Sequence, residues 1–248
     1  MPALTSPSVS SVIARMNAAL RTLPAADGVA CFVRLYLAVT EGVQARLATA
    51  SFADPTFLAD LDRRFAALFF EAVEANADGR RTGARAWAPL FEARSRRRVA
   101  PLQFALAGMN AHIGRDLPLA LVSAWEHAGR DRQESSAQHE DYLRVNDLLA
   151  EVERQVKEQY LSGWLRTVDR AIHRVHRLDD VVAMWDIRRA RDTAWTNAEA
   201  LWALRTDRNL AGSYAAALDR SVGLAGRGLL IPAETWVAAL GRALHLNG

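Results

Sequence analysis

The sequence predicts an all-α domain, and three observations lead to that. Apolar residues recur at spacings of three and four, as in Phe32, Leu35, Tyr36, Val39, Val43 and Leu47, the period that gathers side chains on one helical face. No stretch of useful length alternates apolar and polar residues as a half-buried strand would. No internal repeat stands out, and no linker is long enough to cut the chain in two. The expectation is a loose arm over residues 1–9 and a single all-α domain over 10–248. About nine or ten helices surround a central apolar helix at about 101–117.

The elements follow in order. Ser10 or Ser11 offers a cap for a first amphipathic helix through about Leu23, and Pro24 with Ala-Asp-Gly breaks the chain. A second helix runs from Val29 to about Ala48. Asp54 caps the third, with Pro55 at its first position, and Phe57, Leu61, Phe65, Leu68 and Phe69 form its inner face to about Asn76. A loop, NADGRRTG, leads to a short helix from Trp87 to Ala93. The basic run Arg94–Arg98 reads as a solvated loop or helix end. The central helix comes next, with Pro118 ending or kinking it, and a further helix passes Trp125 and His127 to stop near Gly129. After the polar connection RDRQESSAQ, Ser135 or Ser136 caps a long helix from His139 to about His176, with Gly163 marking a bend or break. A tryptophan-rich helix spans Leu178 to about Leu204. Two closing helices, 211–223 and 232–246, flank a glycine-bearing turn, GLAGRGLLIP.

Composition narrows the function classes. Half of the 248 residues are hydrophobic and 24% are charged, as in ordinary globular proteins. The net charge of +3 comes from a population that is almost entirely arginine, Lys157 being the lone lysine, which argues for a compositional bias and against a nucleic-acid surface. The single cysteine, Cys31, lies among apolar neighbours and can form no internal disulfide. The first residues lack a basic stretch followed by a long apolar one, and no apolar run reaches the roughly 20 residues of a membrane span, so a cytoplasmic protein is expected.

Common catalytic motifs are absent: no Walker loop, no GxGxxG after a strand, no GxSxG elbow, no HExxH and no paired CxxC. What stands out is a polar cluster, Asn110, His112, Arg115 and Asp116, in the otherwise apolar run Pro101–Leu121. Buried polar groups cost free energy unless satisfied, so such a cluster marks a candidate site. His112 and Asp116 are four apart, on one helical face. There they can chelate zinc or another divalent metal, form an oriented acid/base pair, or bond each other within the core. His139 is a further candidate metal ligand, with Asp141 beside it. His173 and His176 form an i, i+3 pair better read as solvated. Glu41, Asp54, Asp60, Asp62 and Glu71 are possible inward carboxylates, and Arg34 and Tyr36 lie in a strongly apolar helix. Asn110 fills a helix interior poorly unless it bonds something. The tryptophan stripe, Trp185, Trp195 and Trp202 with Trp164 nearby, reads as core.

The segments VRLYLAVTEGV, FADPTF, PLQFALAGMNAHIGRDLPLAL and DYLRVNDLLAEVE together resemble an uncharacterised actinobacterial family carried as a domain of unknown function. That resemblance covers nearly the whole chain and implies one all-α domain without an established activity. A more distant similarity is to the zinc-dependent phospholipase C and P1-type nuclease group, helical enzymes with three zinc ions. Their H-x-x-x-D motif is matched by His112 and Asp116, and their later H-x-x-x-E by His139, with Leu143 at the glutamate's position. Pro118 falls two residues early for that pattern, and the N-terminal tryptophan ligand is missing, Met1 and Pro2 standing first.

Two functions follow as expectations. In one, an enzyme encloses a helical pocket around Asn110, His112 and Asp116. It works on a small or medium apolar molecule by acid/base or metal-assisted chemistry, as a hydrolase or as a cyclase or isomerase of secondary metabolism. Tryptophan, phenylalanine and leucine line that pocket. In the other, a non-catalytic ligand-binding or scaffold protein uses the same cluster to fix helix register.

Overall fold

The computed structural model describes residues 9–47, 52–78, 84–129, 137–147, 149 and 186–232. Among these, eight helices are bounded and no strand occurs: α1 Val9–Thr22, α2 Gly28–Leu47, α3 Pro55–Ala77, α4 Ala88–Ala93, α5 Pro101–Ala111, α6 Leu117–Ala128, α7 Ile187–Leu204 and α8 Arg208–Leu229. Residues 137–147 are also helical. The expected closing helix 232–246 and most of the long helix to His176, with Gly163, Trp164, His173, His176 and Trp185, lie outside the described residues.

Helix starts carry the chemistry that free N–H groups need. Asp54 accepts from the Phe57 N–H at 3.0 Å with Pro55 opening α3, Asp186 accepts from Arg188 and Arg189, and Asp207 from Asn209 and Leu210. The first helix departs from expectation, since α1 begins at Val9 and Ser10 and Ser11 lie in its opening turn. The Asp141 carboxylate takes the N–H groups of Ala53 and Asp54 at 3.0 and 2.7 Å, tying the 137–147 helix to the entry of α3.

Helix α5 is buried along its length from Gln103 to Met109, packed on α2 and on α8. Two glycines permit close approach, one between α5 and α2 and the other between α8 and the segment before α4. A Cβ on Gly108 would enter the Phe32 ring of α2, and one on Gly223 of α8 would lie 2.6 Å from the Arg85 carbonyl oxygen. That second contact explains a correction. The glycines of the expected turn GLAGRGLLIP lie inside α8, which runs unbroken to Leu229. None of them reverses the chain: Gly223 allows close approach to the Arg85 backbone, Gly226 lies in ordinary contact with Pro89, and a Cβ on Gly228 would meet nothing within 4 Å.

Pro118 does not end the helical run. Residues His112–Asp116 form a π-helical turn in which the Leu117 N–H reaches back to the His112 carbonyl, and α6 then starts with Pro118 in its first turn. Proline lacks the N–H an α-helical bond needs and crowds the carbonyl four residues before it. One widened turn relieves both problems, so helical backbone continues from α5 through α6 until Gly129 ends it at φ 61°.

The tryptophans Trp125, Trp195 and Trp202 pack edge-to-face, with ring centroids 5.1 and 5.8 Å from Trp125, joining α6 to α7. Of the basic run, Arg94 pairs with Asp27 at 2.8 Å, and Arg96, Arg97 and Arg98 are exposed. No helix among the described residues is long and apolar enough to cross a membrane.

Candidate functional site

The π turn carries His112 and Asp116 into the most aromatic part of the core. The His112 ring stacks on Phe65 of α3, centroids 3.6 Å apart and 8° from parallel, with Tyr36 at 4.7 Å, Phe32 and Trp87 at 6.0 Å and Phe69 at 6.1 Å. One ring nitrogen, Nδ1, lies 3.1 Å from Asp116 Oδ2. Asp116, with no exposed surface, also accepts from Trp87 Nε1 at 3.0 Å and from Arg115 at 2.6 Å. A carboxylate held by two other donors is an acceptor, which makes Nδ1 the protonated nitrogen and Nε2 the bare one. Burial pulls the imidazole's pKa down against the opposing hydrogen bond and charge of Asp116, so the ring is neutral near pH 7.

Nε2 of His112 is buried without a hydrogen-bond partner, as is the Tyr36 hydroxyl. Both residues belong to the wall of a cavity of about 310 Å³. Its lining is largely aliphatic and aromatic, with Val39, Leu58, Leu61, Phe65, Met109, Ile113, Leu117, Val145, Leu149 and Ile187, and with Thr40, Asp62 and Arg191 as further polar members. Pro55 and Ala59 form an exposed rim, while His112, 1% exposed, forms part of the floor. Burial raises the Tyr36 hydroxyl well above the usual tyrosine range, reinforced by the charges of Asp62 and Asp116, so the phenol stays protonated. Burial likewise raises Asp62 to about 6 against the attraction of Arg191.

The sequence-level candidates separate accordingly. His112 and Asp116 come together. Asn110 does not join them: its Nδ2 donates to the Val222 carbonyl of α8 at 2.9 Å, and it is absent from the cavity lining. That bond is the partner its place inside a helix demanded. His139 stacks on Trp195 at 4.5 Å. Among the described residues no three His, Cys, Asp or Glu side chains converge as a metal set would. The donor chemistry at Asp116 is also unsuited, because a guanidinium and an indole already occupy the oxygens that a cation would need. Among the described residues, the surroundings of His112 and Asp116 therefore do not fit the divalent metal or the zinc pattern of the phospholipase C and P1-type resemblance.

Of the earlier carboxylates, Asp54 is a helix cap, Asp60 is paired with Arg63 and Arg64, Glu41 and Glu71 are exposed, and Asp62 alone lines the cavity. Arg34 bonds the Ala25 carbonyl, whereas Tyr36 lines the cavity. The tryptophan lining expected from composition is absent among the described residues: Trp87 braces Asp116, and Trp125, Trp195 and Trp202 pack together elsewhere. Arg191 was missed, since in the exposed-looking run IRRARD nothing singles it out except its place one turn after Ile187.

A family model described as "Family of unknown function (DUF5995)" matches residues 9–232. No curated protein and no solved structure matches the chain.

Proposed function

The chain belongs to the DUF5995 family, whose function is unknown, and from its cavity we propose a metal-independent acid/base enzyme acting on a small or medium, largely apolar molecule. The observation that carries this reading is the unpartnered Nε2 of a neutral histidine, oriented by a buried carboxylate, in the wall of an apolar cavity. Leaving a buried acceptor unsatisfied costs about 1–3 kcal/mol, and a catalytic role is one reason for a site to keep such a group. Nε2 takes a proton from the substrate while Asp116 stabilises the imidazolium through Nδ1–H. The protonated Tyr36 hydroxyl, its ring 4.7 Å from that of His112, donates to oxygen where negative charge develops. Because the wall offers no serine or cysteine nucleophile among the described residues, isomerisation or cyclisation suits it better than hydrolysis through an acyl intermediate. Thr40, the other hydroxyl residue of the described wall, donates to the Tyr36 carbonyl at 2.8 Å.

Deuterium exchange tests the reading without a known substrate. A panel of small apolar ketones, enones and hydroxy compounds is incubated with the protein in D2O, and label uptake is followed by mass spectrometry. Wild type should speed exchange of at least one compound. His112→Gln should lose about 10²–10⁴-fold of that rate, and Asp116→Asn a substantial part of it, while both stay folded. Equal exchange by wild type and His112→Gln would sink the proposal. Compounds that bind without exchange in any sample would favour a ligand-binding module in which the polar cluster is structural.

A further inference from the structure

Arg191 is the one cation in the described cavity wall, and it is built into place. It is 6% exposed, its Nε donates to Asn146 Oδ1 at 2.5 Å, and its guanidinium carbon lies 4.3 Å from the centre of the Tyr142 ring. Tyr142 in turn donates its hydroxyl to the Arg191 carbonyl at 2.7 Å, and Asn146 is held by Asp192 at 3.1 Å. Every one of these contacts fixes the stem, the ring plane or the Nε edge. The two terminal nitrogens take no hydrogen bond or ion pair among the described residues, and Asp62, which shares the wall, forms no ion pair with them. A guanidinium this buried is normally neutralised by a contacting carboxylate or held by several acceptors. Here the planar fork is oriented and left open towards an apolar space.

Resting on the proposed acid/base reading of this cavity, we infer that the ligand is an amphipathic monocarboxylate. Its carboxylate is received by the terminal nitrogens of Arg191 and its apolar body lies along the aliphatic wall towards His112. The fork matches a planar carboxylate through two parallel bonds. A dianionic phosphate would bring more charge than a single guanidinium offsets, beside an acidic Asp62. The anion anchored at Arg191 sets which carbon of the chain reaches His112, so the arginine reads the substrate and the histidine acts on it.

Octanoate and 1-octanol serve as probes that differ in the head group and share the tail. Calorimetric titration of the full chain should show octanoate binding about ten-fold or more tighter than octanol. In Arg191→Met, which keeps the length and loses the charge, that ratio should fall to about one, with octanol binding retained. In Arg191→Lys the preference should survive in weakened form, which separates loss of charge from loss of fold. Wild type binding the two probes equally, or an unchanged preference in Arg191→Met, would overturn the inference while leaving an apolar acid/base cavity intact. Binding of neither probe would overturn both. His112→Gln should leave the ratio unaltered, so a failure of catalysis and a failure of anion recognition are told apart.

Discussion

His112, buried, and Asp62, half-buried, share a cavity wall, yet they link stability to pH in opposite directions. Asp62, raised to about 6 from an ordinary 3.8, holds its proton more tightly folded than unfolded. Its contribution is favourable only at low pH and turns into a penalty as pH rises from about 3.8 to about 6, above which the penalty is complete. Asp62→Asn should therefore raise stability at pH 7.5 by about 1–3 kcal/mol and leave it unchanged near pH 3.5. His112, lowered from 6.5, binds its proton more weakly folded than unfolded, so it costs stability as pH falls below 6.5 towards its folded value. His112→Gln should remove that acid-side loss. Urea melts of the two variants across pH 3.5–8 check both signs, and a gain of the same sign and pH range in both would refute the assignment. His112 and Asp116 are recognisable in the sequence because a four-residue spacing puts them on one face, and Tyr36 and Asp62 because they are polar groups in apolar helices. Their meeting, and the part of Arg191 in it, come from packing of α2, α3 and α7, which no local pattern encodes.

At the scale of elements, helix α8 places two glycines in opposite circumstances. Gly212 has no atom within 4 Å of the position its Cβ would take, while at Gly223 that atom would lie 2.6 Å from a backbone carbonyl oxygen. Gly212→Ala should stabilise by about 0.5–1 kcal/mol through reduced chain entropy. Gly223→Ala must push α8 away from Arg85 and should cost about 1–3 kcal/mol despite the same gain in helix propensity. Thermal melts that gave the two variants the same sign would remove the close-packing account of this helix. The misread turn at GLAGRGLLIP has the same origin: sequence alone does not say whether a glycine serves a reversal or a contact. The π turn escapes detection for a related reason. Pro118 announces that the α-helical bond pattern must change, but the remedy, a break or one widened turn, is decided by whether α6 gains more by continuing directly from α5 and burying Leu117, Leu121 and Trp125.

Over the whole molecule, the fold class was readable because helical periodicity is written along most of the chain, and the cavity was not, because its wall draws on α1, α2, α3, α5, the π turn, α6, the 137–147 helix, Leu149 and α7. That construction has a consequence for stability. A ligand seated there touches elements remote in sequence and binds the folded state alone, so octanoate at about 100 times its dissociation constant should add about 2.7 kcal/mol. For a chain of this length that is a rise in Tm of about 5–10 °C. Access to the seat runs past Pro55 and Ala59, the exposed members of the wall. Ala59→Trp places a bulky ring at this rim, on a face of α3 that is solvent-exposed, so its effect on the unliganded protein should stay within about 0.5 kcal/mol. Its effect on the ligand-induced rise should be large, abolishing or strongly slowing it, because the ring stands in the way of the buried floor at His112. Differential scanning calorimetry with and without octanoate reads both quantities from one pair of samples. An unchanged ligand shift in Ala59→Trp would mean that the cavity fills by another route, and a lowered unliganded Tm would mean that Ala59 is part of the packed core and not of an entrance.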